Sequence, residues 1–143
     1  MSLTNKYAPR KFEDLVGQTD VAKTLGALVR QDDAPPLLLS GPFGTGKTSA
    51  ARIYARGLNC DALTQSGSPC LNCEPCQKFD DKDEQFWFYW EVDAPMHGQK
   101  DHAAYLNGLA RISPLTSVRR RVILIDEAQA LTPHAEEALL KLF

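Results

Sequence analysis

Residues 37–48 read LLLSGPFGTGKT, and this stretch decides the predicted fold. The apolar run at 37–39 is short and follows a proline-containing breaker segment, which predicts a buried strand. The glycine-rich residues 41–46 come next, and the following residues predict a helix that runs to about Arg56 and is ended by Gly57. A buried strand that leads through a glycine-rich loop into a helix is typical of a mostly parallel α/β sheet.

The loop matches the pattern G-x-x-x-x-G-K-[ST] in full. Glycines let backbone N–H groups approach an anion without a Cβ clash, and the helix N-terminus adds the positive end of its dipole. Lys47 can reach the β- and γ-phosphates of a nucleoside triphosphate, and the Thr48 hydroxyl can ligate Mg²⁺. A glycine-rich turn that only joins strand to helix is the alternative. The residues predicted to bind the nucleotide are Gly41, Pro42, Phe43, Gly44, Thr45, Gly46, Lys47 and Thr48.

Two carboxylates follow a second apolar run, in the sequence RVILIDE at 121–127. Ligands of parallel α/β sheets bind at the carboxyl ends of the strands. We therefore predict that Asp126 holds Mg²⁺, mostly through water, and that Glu127 polarises the water that attacks the γ-phosphate. Glu127 and Lys47 are the predicted catalytic residues. An acidic helix cap or a solvated loop is the alternative for the two carboxylates.

The remaining patterns predict further strands and helices in alternation, which supports the parallel α/β class. Before the glycine loop, residues 4–17 (the arm) lack any period and are expected to be extended. The other predicted elements are a helix over 20–31 capped by Thr19, a strand over 86–92, a weaker helix over 101–112, a strand over 122–125, and a last helix capped by Thr132 with Pro133 at its first position. The predicted apolar faces of the first and last helices are Val21, Leu25 and Leu28, and Ala135, Leu139, Leu142 and Phe143.

The amino-acid composition is typical of a globular protein. The 143 residues are 43% apolar and 24% charged, which is enough for about one globular domain. The net charge of −2 gives no bulk electrostatic signature of nucleic-acid binding. No 18-residue apolar run predicts a membrane span, and the N-terminus lacks a secretory apolar segment, so we expect a cytoplasmic protein with no membrane partner.

The four cysteines of the chain lie close together, at Cys60, Cys70, Cys73 and Cys76. In a cytosolic protein, overlapping C-x-x-C spacings favour a metal site over disulfides. Four thiolates suit a structural Zn²⁺ with no open position, although an iron–sulfur cluster or free thiols remain alternatives. Residues 60–80 are poor in large apolar side chains, so we predict an inserted zinc-binding module (the cysteine module) that needs the metal to fold.

These motifs occur together in a recognisable order. The arm KYAPRKFEDLVGQ, the loop GPFGTGKT, the cysteines inserted after the loop helix, the strand end EVDA and the segment VILIDEAQALTPHAEEALLKLF resemble the gamma/tau ATPase subunits of bacterial DNA polymerase III clamp loaders. Those subunits are AAA+ proteins. The resemblance covers nearly the whole chain, and the cysteine insertion and the arm are its most specific parts.

The resemblance implies a function and a set of partners. Several such subunits bind ATP and form a hetero-oligomeric ring that opens a sliding clamp, and primer–template DNA triggers hydrolysis and clamp release. It assigns the roles given above to Lys47, Thr48, Asp126 and Glu127, and it assigns zinc to the four cysteines. It also implies that residues of the arm border the adenine. Those arm residues are Tyr7, Pro9, Val16 and Gly17.

The sequence departs from the family pattern where a helix faces the DNA channel. Pro95, Met96 and His97 replace a small residue, serine and arginine, and Ala104 replaces an arginine, which weakens the expectation of direct DNA contact. The resemblance further implies that residues 1–143 are the N-terminal part of an AAA+ domain. We expect this part alone to have an incomplete sheet, to be a poor ATPase and not to be a stable monomer.

Two other functions are kept as alternatives. One is a different AAA+ motor that remodels DNA, such as a Holliday-junction helicase, against which the cysteine module argues. The other is a clamp-loader subunit that binds nucleotide without hydrolysing it, against which the intact Lys47, Thr48 and Glu127 argue.

Overall fold

The computed structural model describes residues 7–81, 85, 88–95, 104, 107–108, 111 and 119–140. Two short 3₁₀ turns, Phe12–Asp14 in the arm and Ala128–Ala130 after the second strand, accompany the helices and strands. The elements are α1 (Thr19–Leu28), α2 (Lys47–Asn59), α3 (Glu74–Lys78), β1 (Tyr89–Asp93), β2 (Val122–Asp126) and α4 (Pro133–Leu140).

The sheet of the described chain has two parallel strands, β1 and β2. Tyr89 pairs with Val122 at one end and Asp93 pairs with Asp126 at the other. The predicted α/β class with parallel strands is therefore confirmed, and so is the strand that precedes the two carboxylates. Within the described ranges, no helix is both long and apolar enough to cross a bilayer.

The prediction of a buried strand at 37–39 was wrong. These residues are irregular, and the side chain of Leu38 is 86% exposed while Leu37 is 39% exposed. A strand needs a neighbouring backbone to complete its hydrogen bonds. Among the residues that the structure describes, only β1 and β2 pair, so this apolar run has no strand beside it. The expectation that the sheet is incomplete stays a prediction.

Two helix boundaries also differ from the sequence patterns. Gly57 does not end α2, which continues to Asn59. The glycine is there for packing: a Cβ at Gly57 would lie 2.7 Å from Cγ2 of Val29. Thr19 is the first residue of α1 and does not cap it; Gln18 occupies that position without a side-chain hydrogen bond.

The predicted start of the last helix is confirmed. The Thr132 side-chain oxygen accepts a hydrogen bond from the backbone N–H of Ala135 at 3.3 Å, and Pro133 is the first helical residue. Ala135 is fully buried, whereas Leu142 and Phe143 lie outside the described residues. The predicted helix over 101–112 also lies largely outside them; residues 104, 107, 108 and 111 are helical.

The core joins the arm, the helices and the sheet. The arm contributes Phe12 and Leu15 to a buried cluster with α1 and α2, completed by Leu25, Val29, Ala50, Ile53 and Tyr54. The end of the cysteine module contributes Phe79, whose ring lies 4.6 Å from that of Tyr89 on β1. Trp90 and Val92 pack against residues of β2 and α4. The arm and the cysteine module are therefore parts of the packed domain.

Candidate functional site

The glycine loop makes a tight turn into α2. Three of its glycines have positive φ angles, 148° at Gly41, 79° at Gly44 and 83° at Gly46, which side chains other than glycine rarely adopt. The Thr45 hydroxyl donates to the carbonyl oxygen of Pro42 at 2.9 Å and braces the turn. Gly46 caps α2, whose first backbone N–H groups have no partner within the helix. This geometry suits an anion, because unpaired N–H groups and a helix N-terminus meet in one loop.

Lys47 is held by the loop that precedes it. Its Nζ donates to the carbonyl oxygens of Gly41 at 2.9 Å and Pro42 at 2.7 Å. The ammonium group is therefore fixed at the glycine loop, where it adds a full positive charge beside the helix N-terminus. Phe43, at the outer part of the same loop, is 96% exposed.

A hydrogen bond connects the start of α2 with the end of β2. The Thr48 hydroxyl donates to Oδ2 of Asp126 at 3.0 Å, across 78 positions of sequence. Asp126 is the last residue of β2 and pairs with Asp93 of β1, so the contact lies at the carboxyl edge of the sheet. A hydroxyl and a carboxylate are oxygen ligands of the kind that Mg²⁺ prefers. The structure thus brings together the two residues that the sequence assigned to magnesium.

Glu127 lies just beyond this contact, in a strained backbone conformation. Its φ and ψ are 53° and 42°, in the left-handed region, and its side chain is exposed. Its backbone N–H donates to Oδ1 of Asp126 at 3.0 Å. The Gln129 amide donates to Oε2 of Glu127 and so holds the carboxylate. Sequence reasoning missed Gln129, because a glutamine two residues after an acidic pair is indistinguishable from any exposed polar residue.

The arm approaches the loop at Leu15. Cδ2 of Leu15 lies 4.0 Å from the position that a Cβ at Gly46 would occupy. The next two residues, Val16 and Gly17, therefore follow a residue that lies near the loop. Val16 is 96% exposed and Gly17 has a φ of 75°. The four arm residues predicted to border adenine (Tyr7, Pro9, Val16 and Gly17) are exposed or half-buried, and their role stays a prediction.

The four cysteine sulfurs form one cluster. All four Sγ atoms lie within 4.8 Å of one another, and those of Cys60 and Cys73 are 3.9 Å apart. No pair is bonded, since all four thiols are free. Sulfurs around one tetrahedral zinc at Zn–S of about 2.3 Å are about 3.8 Å apart, so the donor set fits such an ion. Leu71 adopts a φ of 65°, which turns the chain tightly between two of the ligands.

Backbone amides point at the sulfurs. The N–H groups of Asn72 and Cys73 donate to Sγ of Cys70 at 3.4 and 3.3 Å. Chiefly the Asn72 bond lowers the pKa of the Cys70 thiol to about 6, whereas burial raises the pKa of Cys60 and of Cys76. Hydrogen bonds to sulfur favour the thiolate, which is the form that binds metal. Both the spacing and the amide donors therefore suit a metal site.

The basic run at 119–121 contacts other parts of the protein. Arg119 donates to the Asp61 carboxylate at 3.2 Å, and Arg120 donates to the carbonyl oxygen of Gln31 at 3.2 Å. Several residues depart from the family pattern near the expected DNA channel. Of these, Ala104 is exposed, while Met96 and His97 lie outside the described residues.

A comparison with known protein families identifies the family of this chain. The model of the family described as DNA polymerase III, delta subunit, matches residues 17–143. The chain belongs to this family. The predicted resemblance to gamma/tau subunits is also confirmed by relatives that align with nearly the whole chain.

Three relatives illustrate the similarity. The gamma/tau subunit of DNA polymerase III from Mycobacterium bovis is 39% identical over 146 residues, which cover 99% of the chain and 24% of that protein. The tau subunit from Bacillus subtilis is 35% identical over 98% of the chain and 24% of its own length. Protein STICHEL from Arabidopsis thaliana is 39% identical over 98% of the chain and 11% of its own length. The chain thus spans about a quarter or less of these relatives.

Proposed function

We propose that this chain is the ATP-binding and ATP-hydrolysing part of a clamp-loader subunit, built on a P-loop AAA+ fold with an inserted zinc module. The hydrogen bond between Thr48 and Asp126 carries the proposal. It joins the helix that follows a phosphate-type glycine loop to the acidic end of a parallel strand, which are the two halves of a nucleotide–magnesium site. If the glycine loop only joined the preceding segment to α2, a hydrogen bond between Thr48 and Asp126 would not be expected.

The residues of the site have separable tasks. The loop N–H groups and the N-terminus of α2 bind the phosphates, and Lys47 exchanges its two loop carbonyls for phosphate oxygens. Thr48 and Asp126 would hold Mg²⁺, Thr48 through its hydroxyl and Asp126 mostly through water, and the ion would neutralise charge on the phosphates. Glu127 orients and polarises the attacking water, while the Gln129 amide donates to one of its two carboxylate oxygens.

The nucleoside is assigned to the arm. Tyr7, Pro9, Val16 and Gly17 would border the adenine, and the position of Leu15 near Gly46 of the glycine loop supports this placement. The cysteine module would hold one structural Zn²⁺ through Cys60, Cys70, Cys73 and Cys76, a proposal that the mutual distances of their sulfurs support.

The wider function follows from the relatives, whose names are those of DNA polymerase III gamma/tau subunits. Nucleotide binding would assemble the chain with other clamp-loader subunits into a ring that opens a sliding clamp. Hydrolysis on primer–template DNA would then release the clamp, in the cytoplasm.

Two substitutions in the natural protein that contains this chain test the catalytic assignment. Lys47→Ala removes the charge on the phosphates and should weaken ATP binding about 10- to 100-fold. Glu127→Gln removes only water activation and should lower hydrolysis by about 100-fold or more while ATP affinity stays within about twofold. Lys23→Ala and Glu136→Gln are matched controls at exposed positions on α1 and α4.

The results separate the candidate functions. A Glu127→Gln variant that hydrolyses ATP at the parental rate would show that another group polarises the water. A parental protein that binds ATP but never turns it over would favour the non-hydrolysing subunit. ATPase activity that depends on branched DNA and ignores a sliding clamp would favour a different DNA-remodelling motor.

A further inference from the structure

The arm is fixed to the cysteine module at two places. Arg10 forms an ion pair with Asp80, just after the last cysteine. Three residues further on, the Glu13 carboxylate accepts hydrogen bonds from the hydroxyls of Ser66 and Ser68, the latter at 2.6 Å. Both serines precede Cys70. The contacts therefore lie on either side of the segment that carries the last three cysteines.

The contact of Glu13 with the two serines includes a buried residue of the module. Ser68 is fully buried, and its Oγ also accepts the backbone N–H of Phe12 at 2.9 Å. Buried hydroxyls need such partners, so the arm and Ser68 satisfy each other. The two serine hydroxyls also lower the pKa of Glu13, which favours its ionised form.

The serines are held by a close backbone contact. Gly67 lies between them, and a Cβ there would be 2.7 Å from the carbonyl carbon of Gly26 in α1. Because the backbone of residues 66–68 packs directly against the backbone of α1, this segment has little room to move. Ser66 and Ser68 are therefore held in place to bind Glu13.

The other end of the arm packs beside the start of α2, next to the glycine loop. Phe12 and Leu15 are both buried in the first core cluster with Ala50 of α2, and Cδ2 of Leu15 lies 4.0 Å from where a Cβ at Gly46 would be. The arm is thus bonded to the cysteine module through Glu13 and packed near the loop through Leu15. Val16 and Gly17, proposed to contact the nucleoside, follow directly.

We propose that Glu13 is a positioning residue of the nucleotide site, which fixes the arm at the glycine loop by binding Ser66 and Ser68 of the cysteine module. This inference rests on the proposed function. In this proposal the cysteine module positions the arm residues that bind the nucleoside. The glycine loop binds the phosphates without help from the module. A loss of the module should therefore displace the arm while the glycine loop still binds phosphate.

The test compares two probes on the natural protein. ATP has a nucleoside and tripolyphosphate does not, so only ATP affinity depends on the arm. Glu13→Gln should weaken ATP binding about 3- to 10-fold and leave tripolyphosphate binding within about twofold. Ser66→Ala should weaken ATP binding less than Glu13→Gln, because Ser68 still donates to Glu13, and the double variant should resemble Glu13→Gln. Glu74→Gln is the control, since that exposed carboxylate pairs with Lys78 inside the module.

Amide hydrogen exchange without nucleotide provides a second measurement. The N–H groups of Leu15 and Gln18, bonded to Phe12 and Leu15, should exchange faster in Glu13→Gln than in Glu74→Gln. Parental ATP affinity in Glu13→Gln, or an equal loss for both probes, would overturn the inference. A parental protein that binds neither probe would instead overturn the proposed function, and hydrogen exchange would still report whether Glu13 holds the arm.

Discussion

Gly26→Ala should destabilise the protein although alanine is the better helix former. Gly26 lies inside α1, where replacing glycine normally stabilises by up to about 1 kcal/mol. Here a Cβ would lie far below 3.0 Å from the carbonyl oxygen of Ser66 and 3.2 Å from its carbonyl carbon. The clash is with backbone, so no side chain can turn away.

The magnitude follows from these opposing effects. Overpacking costs about 1–3 kcal/mol, and a backbone obstacle lies at the upper end of that range. After subtracting the gain in helix propensity, we expect a net loss of about 2 kcal/mol in the free energy of unfolding.

Two further glycines calibrate the measurement. Gly57→Ala meets only the Cγ2 methyl of Val29 closely, at 2.7 Å, and that side chain can shift, so its cost should be smaller. Gly108 is helical, and a Cβ there would have no atom of the described residues within 4 Å, so Gly108→Ala should be neutral or stabilising. Urea unfolding, followed by the fluorescence of the buried Trp90, gives all three values. If Gly26→Ala is as stable as Gly108→Ala, the close contact between α1 and the cysteine module is wrong.

Two other outcomes test the proposed zinc site and the proposed role of Gln129 beside Glu127. Purified protein should contain one zinc per chain by elemental analysis, and Cys70→Ser or chelation should make residues 60–80 sensitive to protease; no zinc, or stoichiometric iron, would contradict the assignment. Gln129→Ala should raise kcat for ATP hydrolysis about 2- to 10-fold with KM unchanged, because the Gln129 amide no longer competes with the attacking water for Oε2 of Glu127. A fall in kcat would show instead that Gln129 orients Glu127 productively.

The parts that the sequence predicted correctly are those set by local chemistry. Thr132 and Pro133 mark the start of a helix because a capping oxygen and a missing N–H act within one turn. The approach of Thr48 to Asp126 was predictable from the rule that parallel strands place their ligands at one edge.

The parts that it missed depend on distant neighbours. Residues 37–39 have the composition of a strand, but a strand forms only beside another one. A glycine such as Gly57 is typical of a helix end. Here, however, glycine is required because the Val29 side chain at the end of α1 leaves no room for a Cβ. The bond between Glu13 and Ser68 spans 55 positions, and no local pattern marks either residue.

The backbone of Glu127 sets stability and activity against each other at a single position. A left-handed φ of 53° costs about 1–2 kcal/mol for any residue with a Cβ, and glycine would remove that cost. Glycine would also remove the carboxylate proposed to polarise water. Selection for thermal stability alone would therefore remove the proposed catalytic carboxylate, and a stabilised variant of the domain has to be sought at other residues.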